Sequence, residues 1–222
     1  EPYRQQLLHY IEQNIEFVID YCKENIPQIK PVRPEASFLI WLDCRGLKLK
    51  QEDSIDLFVN KAHLALAYLE RQGKLKTIVT QNIDGLHQKA GSRKVYELHG
   101  SVLRNYCMDC GAAYDLDYTL DSAHCRGSIP ICPQCGGIIK PDVVLYEEAL
   151  DEDCMLGAIR AIEAADTLII GGTSLAVYPA AGLIRYFKGK NLVLINKQPT
   201  PYDGRADLVI HDAIGKVMEI EQ

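Results

Sequence analysis

LKTIVTQNIDGLH, residues 75–87, opens as a strand and closes in a polar turn. Its first half, LKTIVTQ (Leu75–Gln81), is short and rich in β-branched residues, the composition of a buried strand. Gln81, Asn82, Ile83 and Asp84 follow at its carboxyl end, before Gly85. Polar groups at the carboxyl end of a parallel strand belong at the ligand crevice of an open α/β sheet. Taken alone, Asn82, Asp84 and Gly85 would equally well form a plain turn.

The neighbouring segments weigh on that choice. Val95–Leu98 is another brief strand, ending in Glu97-Leu-His99-Gly100. Leu156–Ala165 reads as a helix, TLIIGGT (Thr167–Thr173) as a buried strand and Pro179–Phe187 as a helix. NLVLINK (Asn191–Lys197) and DLVIHD (Asp207–Asp212) are further strands, followed by a short helix. Nearly continuous apolar strands alternating with helices predict a parallel sheet covered on both faces. A lone histidine in the position of His99 is more often structural. With TQNIDGLH before it and paired cysteines after it, a general base becomes the better reading.

Upstream, Leu7, Leu8, Ile11, Ile15, Val18, Ile19 and Cys22 repeat at helical spacing, and Pro27 stops the pattern. Ile29–Pro34 holds two prolines and should be extended. FLIWL (Phe38–Leu42) is consistent with a buried strand, and Gly46 marks a turn. Asp53 or Ser54 could cap a second helix running to Arg71, with Gly73 as its stop.

Four of the eight cysteines form two close pairs, Cys107-Met-Asp-Cys110-Gly and Cys132-Pro-Gln-Cys135-Gly-Gly. Each C-x-x-C turn puts two sulfurs on one side of a tight loop, and the following glycine permits a positive φ. Together they supply four thiolates for a tetrahedral zinc ion, with Zn–S bonds of roughly 2.3 Å. Full protein ligation leaves no open position, which implies a structural metal. The competing reading is unrelated buried thiols or redox pairs, and Cys125, beside His124, is a weaker competitor as ligand. The 21 residues between the pairs slightly exceed the commonest ribbon spacing and leave room for an excursion.

With 222 residues the chain suffices for one large domain or two modest ones. A formal net charge of −6 argues against a general nucleic-acid or anionic-membrane surface. There is no apolar run of membrane-spanning length, and EPYRQQLLHY lacks the pattern of a signal peptide. Paired thiols without an export signal predict metal ligands in a reducing cytoplasm.

TQNIDGLH, ELHG, the four cysteines, KPDVVLYEE (Lys140–Glu148), GGTSLAVYPAA (Gly171–Ala181) and LVLINKQPTPYD (Leu192–Asp203) follow one another as in sirtuins. The resemblance begins near NKAHLALAYLE (Asn60–Glu70) and covers about three quarters of the chain. It implies an NAD-dependent protein-lysine deacylase, acting on an acyl-lysine protein or peptide. The expected fold is an incomplete Rossmann-like parallel α/β sheet over residues 60–222, with a small inserted zinc-ribbon module at about 101–140. By resemblance, His99 is the general base toward a ribose hydroxyl, and Asn82 and Asp84 join it in the catalytic set. Gln81, Asn82, Ile83 and Asp84 would line the nicotinamide and ribose pocket. Gly172, Thr173 and Ser174 would approach the phosphates and ribose. Asn196 and Lys197 would reach the adenosine ribose, with Ala213 and Ile214 flanking the adenine. Val143, Val144 and Tyr146 would pair with the substrate peptide as an added strand. In such enzymes nicotinamide leaves and the acyl group ends on ADP-ribose.

Residues 1–59 depart from this pattern. A sirtuin begins with a strand and a glycine-rich loop, approximately GAGxSxxSGIPDFR, and no glycine precedes Gly46 here. Instead, NIEFVIDYCKENIPQIKPVRPEASFLIWLDCRGL (Asn14–Leu47) resembles the small domain of fold-type I pyridoxal-phosphate enzymes of the cystathionine β-lyase kind. It brings none of that family's cofactor-binding residues, so pyridoxal-phosphate chemistry is not expected. A fusion of two unrelated fragments is the simplest account. FLIWL would then fill the place of the missing central strand, beside LKTIVTQ and TLIIGGT. The alternative to an active deacylase is an inactive remnant serving only as a zinc-containing binding module.

Overall fold

The computed structural model describes residues 2–34, 40–48, 59–145, 147–176 and 178–219. The chain divides into two compact units, 1–57 and 58–222.

The first unit opens with α1 (Pro2–Asn25). Proline suits the first helical position, because its missing N–H would have no partner there. Ile15 and Cys22 are buried, and Ile11, Val18 and Ile19 are half-buried on the same stripe. Leu7 and Leu8, expected on that stripe, are 44% and 54% exposed. Asn25 and Pro27 end the helix, Asn25 by donating from its side chain to the Tyr21 carbonyl at 3.0 Å. Two short antiparallel strands follow, β1 (Lys30–Val32) and β2 (Trp41–Asp43), paired from Lys30↔Asp43 to Val32↔Trp41. Arg33 reaches back to α1, bonding Glu16 at 2.8 Å and also Glu12, one turn earlier. Of the strand expected over Phe38–Leu42, Phe38 and Leu39 lie outside the described residues, Ile40 is not in a strand, and Trp41 and Leu42 pair with β1, not with LKTIVTQ or TLIIGGT, among the described residues.

In the second unit, α2 (Lys61–Arg71) is capped by Asn60. Its side-chain oxygen accepts from Ala62 and His63 N–H, while His63 Nδ1 accepts from Asn60 N–H at 3.2 Å. The caps predicted at Asp53 or Ser54 lie outside the described residues. Gly73 stops the helix at φ +70°, as its position predicts. The Glu70 carboxylate then accepts the N–H groups of Arg93 and Lys94, at 2.8 and 2.9 Å. This ties the helix end to the start of the next strand pair.

The parallel strands form two sheets among the described residues. The first pairs β3 (Ile78–Thr80) with β4 (Val95–Glu97), joined through the short helix α3 (Leu86–Lys89). Three more strands appear further along the chain and make the second sheet. They are β10 (Thr167–Gly171), β11 (Asn191–Ile195) and β12 (Leu208–Ile210), in that order. Helix α5 (Glu152–Glu163) begins earlier than its apolar period suggests, because Asp151 caps it by accepting from Cys154 N–H at 2.7 Å. Ala158 and Ile162 of α5 and Leu98 form a buried cluster with Ala180 and Leu183 of the 3₁₀ segment 180–186. Val79, Tyr96 and Leu168 pack against the same cluster, so one core serves both sheets. Strand β10 was expected to be buried throughout, yet Ile169 is 43% exposed. Its sheet extends only toward β11 among the described residues. The chain closes with α6 (Ile214–Val217), and Lys61 of α2 pairs with Glu219.

Between the two sheets in sequence lies an antiparallel module. β5 (Gly100–Cys107) is flanked by β6 (Ala113–Tyr114) and β9 (Ile139–Val143). The short helix α4 (Leu116–Leu120) and a two-residue hairpin, β7 (Cys125–Arg126) with β8 (Ile129–Pro130), fill the excursion. Cys107, Cys132 and Ile139 are its buried centre, packed by Ala112, Tyr114 and Tyr118. None of the described helices is long and apolar enough to cross a membrane.

Candidate functional site

The loops at the carboxyl ends of five parallel strands carry the residues expected to meet a cofactor. β3 delivers Gln81, Asn82, Ile83 and Asp84, and β4 delivers His99. β10 delivers Gly172, Thr173 and Ser174, β11 delivers Asn196 and Lys197, and β12 leads to Ala213 and Ile214. In an open parallel sheet this edge is where ligands bind.

Local bonds shape the first group. Thr80 Oγ1 accepts from Asn82 N–H at 3.1 Å, and Asp84 Oδ1 accepts from Leu86 N–H at 3.0 Å, starting α3. Gly85 takes φ +70°, and a Cβ there would lie 2.5 Å from Leu103 Cδ1. His99 Nδ1 lies 2.9 Å from the Gln81 carbonyl oxygen. A carbonyl only accepts, so Nδ1 carries the proton and a neutral ring keeps its lone pair on Nε2. The backbone at His99 is held as well, its carbonyl accepting from Val144 N–H at 3.1 Å. Val143 ends β9 beside Gly100, whereas Tyr146 lies outside the described residues.

The second group lines the other sheet. Gly172 has φ +66° with open space where a side chain would project, and its N–H donates to Ile195 O at 3.0 Å. Thr173 Oγ1 accepts from Leu175 N–H at 3.3 Å, and Ser174 is exposed. Asn196 Nδ2 donates to Gln198 O at 2.8 Å, and its N–H donates to Ile210 O, joining the ends of β11 and β12. Lys197 is exposed, whereas Ala213 and Ile214 are half-buried. A Cβ at Gly171 would come within 2.2 Å of Ile214 Cδ1, so the end of the Ile214 side chain packs directly over this glycine.

Two histidines lie within electrostatic reach of Asp84. His63 and His87 meet edge to face with ring centroids 4.8 Å apart. Burial pushes both imidazoles below the usual histidine range, and Asp84 pulls each the other way. His63 adds to the depression at His87. They are therefore held neutral near pH 7.

The four paired cysteines converge, with all Sγ atoms within 4.8 Å of one another. Cys107–Cys135 and Cys110–Cys132 Sγ separations are 3.4 and 3.6 Å. Bonds of roughly 2.3 Å in a tetrahedron require ligand separations of about 3.8 Å, so the cluster fits zinc. Both knuckle glycines, Gly111 and Gly136, have positive φ, at 71° and 78°. Their N–H groups donate to the Cys107 and Cys132 carbonyls at 3.0 and 2.9 Å. Burial would raise the Cys132 thiol, but hydrogen bonds from Tyr114 and the backbone N–H groups of Cys135 and Gln134 bring it down to about 6. Backbone N–H groups favour ionisation of Cys110 and Cys135, yet hydrogen bonds with the neighbouring sulfurs and burial push both up, Cys135 to about 12, so all four can be thiolates together only around a cation. Cys125 stands outside the cluster, its Sγ directed at the Asp121 carbonyl at 3.5 Å.

Three features escaped the sequence reading. Tyr114 Oη lies 3.0 Å from Cys132 Sγ. The His63–His87 pair joins residues on different elements. Arg104 bridges Glu97 and Asp142, at 2.8 and 2.9 Å. Each depends on contacts across strands or helices, for which spacing along one chain gives no signal.

Parallel strands covered by helices, interrupted by a four-cysteine module whose geometry fits zinc, define a Rossmann-like α/β protein with an inserted ribbon. The Sir2 family profile matches residues 41–179, and the chain belongs to that family. An NAD-dependent protein deacetylase of Clostridium acetobutylicum is 66% identical over 160 residues, covering 72% of this chain and 64% of the relative. That of Clostridium perfringens is 68% identical over 160 residues, with the same coverage of 72% and 64%. The chain thus spans a little under two thirds of these relatives' length. Among solved structures, a Sir2–p53 peptide–NAD+ complex is 38% identical, with a TM-score of 0.67 over 72% of this chain and 67% of that one. Sir2 bound to acetylated peptide is 37% identical, with a TM-score of 0.67 and the same coverage of 72% and 67%.

Proposed function

We propose that the chain is an NAD-dependent protein-lysine deacylase, with simple acetyl-lysine as the default substrate and a structural zinc ion in the four-cysteine cluster. The observation that carries this reading is His99 at the strand-end edge, with Nδ1 fixed on the Gln81 carbonyl at 2.9 Å. The curated relatives named as NAD-dependent protein deacetylases, and the solved Sir2 complexes with NAD and acetylated peptide, support it.

NAD fits the residues present. Gly172 leaves open space for close approach of a phosphate or ribose, and polar Thr173, Ser174 and Asn196 surround that edge. Asn82 and Asp84 would hold the carboxamide, with Gln81 and Ile83 beside the ribose, while Lys197, Ala213 and Ile214 would take the adenosine end. When bound, NAD supplies an electrophilic ribose carbon and a nicotinamide leaving group. His99 Nε2, free of a proton, would accept one from a ribose hydroxyl. Val143, Val144 and Tyr146 would receive the substrate peptide as an added strand, aligning its acyl-lysine with the crevice.

A second reading rests on a specific observation. No glycine precedes Gly46, and the parallel strands form two sheets among the described residues. On this reading residues 1–59 are a fused fragment of a pyridoxal-phosphate enzyme's small domain, the glycine-rich loop is missing, and the chain is an inactive zinc-containing module. Either form would work in a reducing cytoplasm, where four thiols stay available to a metal.

Calorimetry of NAD binding to the zinc-loaded chain separates the two. Millimolar or tighter binding that weakens in Asn196→Ala supports the enzyme, and nicotinamide release that disappears in His99→Ala completes it. Full zinc loading with no NAD binding establishes the module.

A further inference from the structure

The pairing of β5 with β9 is broken at one place, and the broken segment reaches into the candidate site. Ser101 pairs with Asp142 and Asn105 with Pro141, so residues 102–104 bulge out opposite no partner on β9. Pro141 offers no N–H, so the ladder loses a donor at the point where its register shifts. Polar groups brace the bulge from inside. Ser101, 1% exposed, accepts from Leu103 N–H at 3.2 Å, and Asn105, 3% exposed, donates to Val102 O at 3.3 Å. A bulge supported in this way re-aims its side chains by design.

All three bulged residues contact elements of the site. Val102 N–H donates to Ile83 O at 3.0 Å, and Leu103 covers Gly85. Arg104 Nη1 bonds Glu97 Oε2 at 2.8 Å, two residues before His99. Its Nε bonds Asp142 Oδ2 at 2.9 Å, two residues before Val144, whose N–H holds the His99 carbonyl. The Glu97 side chain is only 8% exposed, and Arg104 gives its buried carboxylate an ion-pair partner. Arg104 therefore ties β4, β9 and its own bulge together around one histidine.

We propose that Arg104 is a positioning residue. By bridging Glu97 and Asp142 it holds the bulge, and through it the Gln81–Asp84 turn and the His99 ring, in a single register. The catalytic consequence rests on the deacylase reading; the geometric one does not. The rival role is purely local, with Arg104 only neutralising the buried Glu97.

The experiment uses the full zinc-loaded chain and Arg104→Met, Arg104→Lys and Glu97→Gln/Arg104→Met variants, each checked for zinc content. Nicotinamide release with an acetyl-lysine peptide gives kcat and KM, and nitrogen NMR of the His99 imidazole gives its tautomer. For Arg104→Met we expect kcat to fall roughly tenfold or more, since misplacement of a catalytic group is felt that strongly, with KM little changed. The Nδ1–H tautomer should give way to an average, and Arg104→Lys should recover part of kcat by keeping one ion pair. The double variant should stay low, because removing the Glu97 charge does not rebuild the bridge. Unchanged kcat and tautomer in Arg104→Met, or full recovery in the double variant, would overturn the proposal. If Arg104→Met loses zinc, the double variant alone decides by the same criteria. If the parent releases no nicotinamide, the deacylase reading fails and the NMR still decides. Loss of the tautomer supports positioning, and its retention refutes it.

Discussion

Tyr114 is a residue whose role its neighbours in sequence do not reveal. Its hydroxyl bond to Cys132 at 3.0 Å lowers that thiol and would orient the sulfur toward the metal. Tyr114→Phe is expected to weaken zinc binding by about tenfold, the usual loss when a partner of a metal ligand is removed. Competition against a chromophoric chelator measures it, and an unchanged affinity would show the bond to be idle. The four cysteines themselves were legible, because thiolate chemistry and the turn geometry of C-x-x-C are local. So was the positive φ of Gly111 and Gly136, which a knuckle needs and other residues resist. Tyr114 was not, because its approach to Cys132 depends on β6 pairing with β5.

Among the elements, β5 is the one on which site and metal module both depend. It runs from Gly100, next to His99, to Cys107 of the four-cysteine cluster. Gly100 has φ +75°, and a Cβ there would lie 1.9 Å from the Asp142 carbonyl oxygen. Gly100→Ala should cost about 1–3 kcal/mol from the backbone strain alone, and the clash can only add to that. Denaturant unfolding would register it, and a stability within 0.5 kcal/mol of the parent would contradict the geometry. Zinc removal by a strong chelator should loosen the module while leaving β10–β12 protected, as followed by amide hydrogen exchange. Strand depth differs as well. Leu194, 1% exposed in the central strand β11, should cost about 2–5 kcal/mol on truncation to alanine. Ile169, 43% exposed in β10, should cost less than half of that by the same measurement. Its sequence, inside TLIIGGT, looks as buried as any strand. Periodicity reports the character of a segment but not whether a neighbouring strand covers it.

At the scale of the whole molecule, stability should depend on pH through the His63–His87 pair. Burial lowers both imidazoles in the folded chain, while the unfolded chain keeps them near the free value of about 6.5. The unfolded state therefore binds more protons as pH drops, so this contribution is complete above about 6.5 and is lost as pH falls through the folded values. Thermal unfolding midpoints should be flat from pH 8 to 7 and decline below it, and His87→Gln should shallow the decline. Acid release of zinc affects both proteins alike, so their difference isolates the pair. Equal slopes would remove it from the account. Much of this chain is legible in its sequence: the parallel strands, the candidate residues that follow their carboxyl ends, the glycine stop at Gly73 and the convergence of four thiols. All of these follow from backbone sterics, local turns and side-chain chemistry within a few residues. The division of the parallel strands into two sheets, the exposure of Ile169, the histidine pair and the Arg104 bridge required the tertiary structure. They arise where segments distant in sequence meet, and burial and partner geometry there are properties of the packing, not of either segment alone.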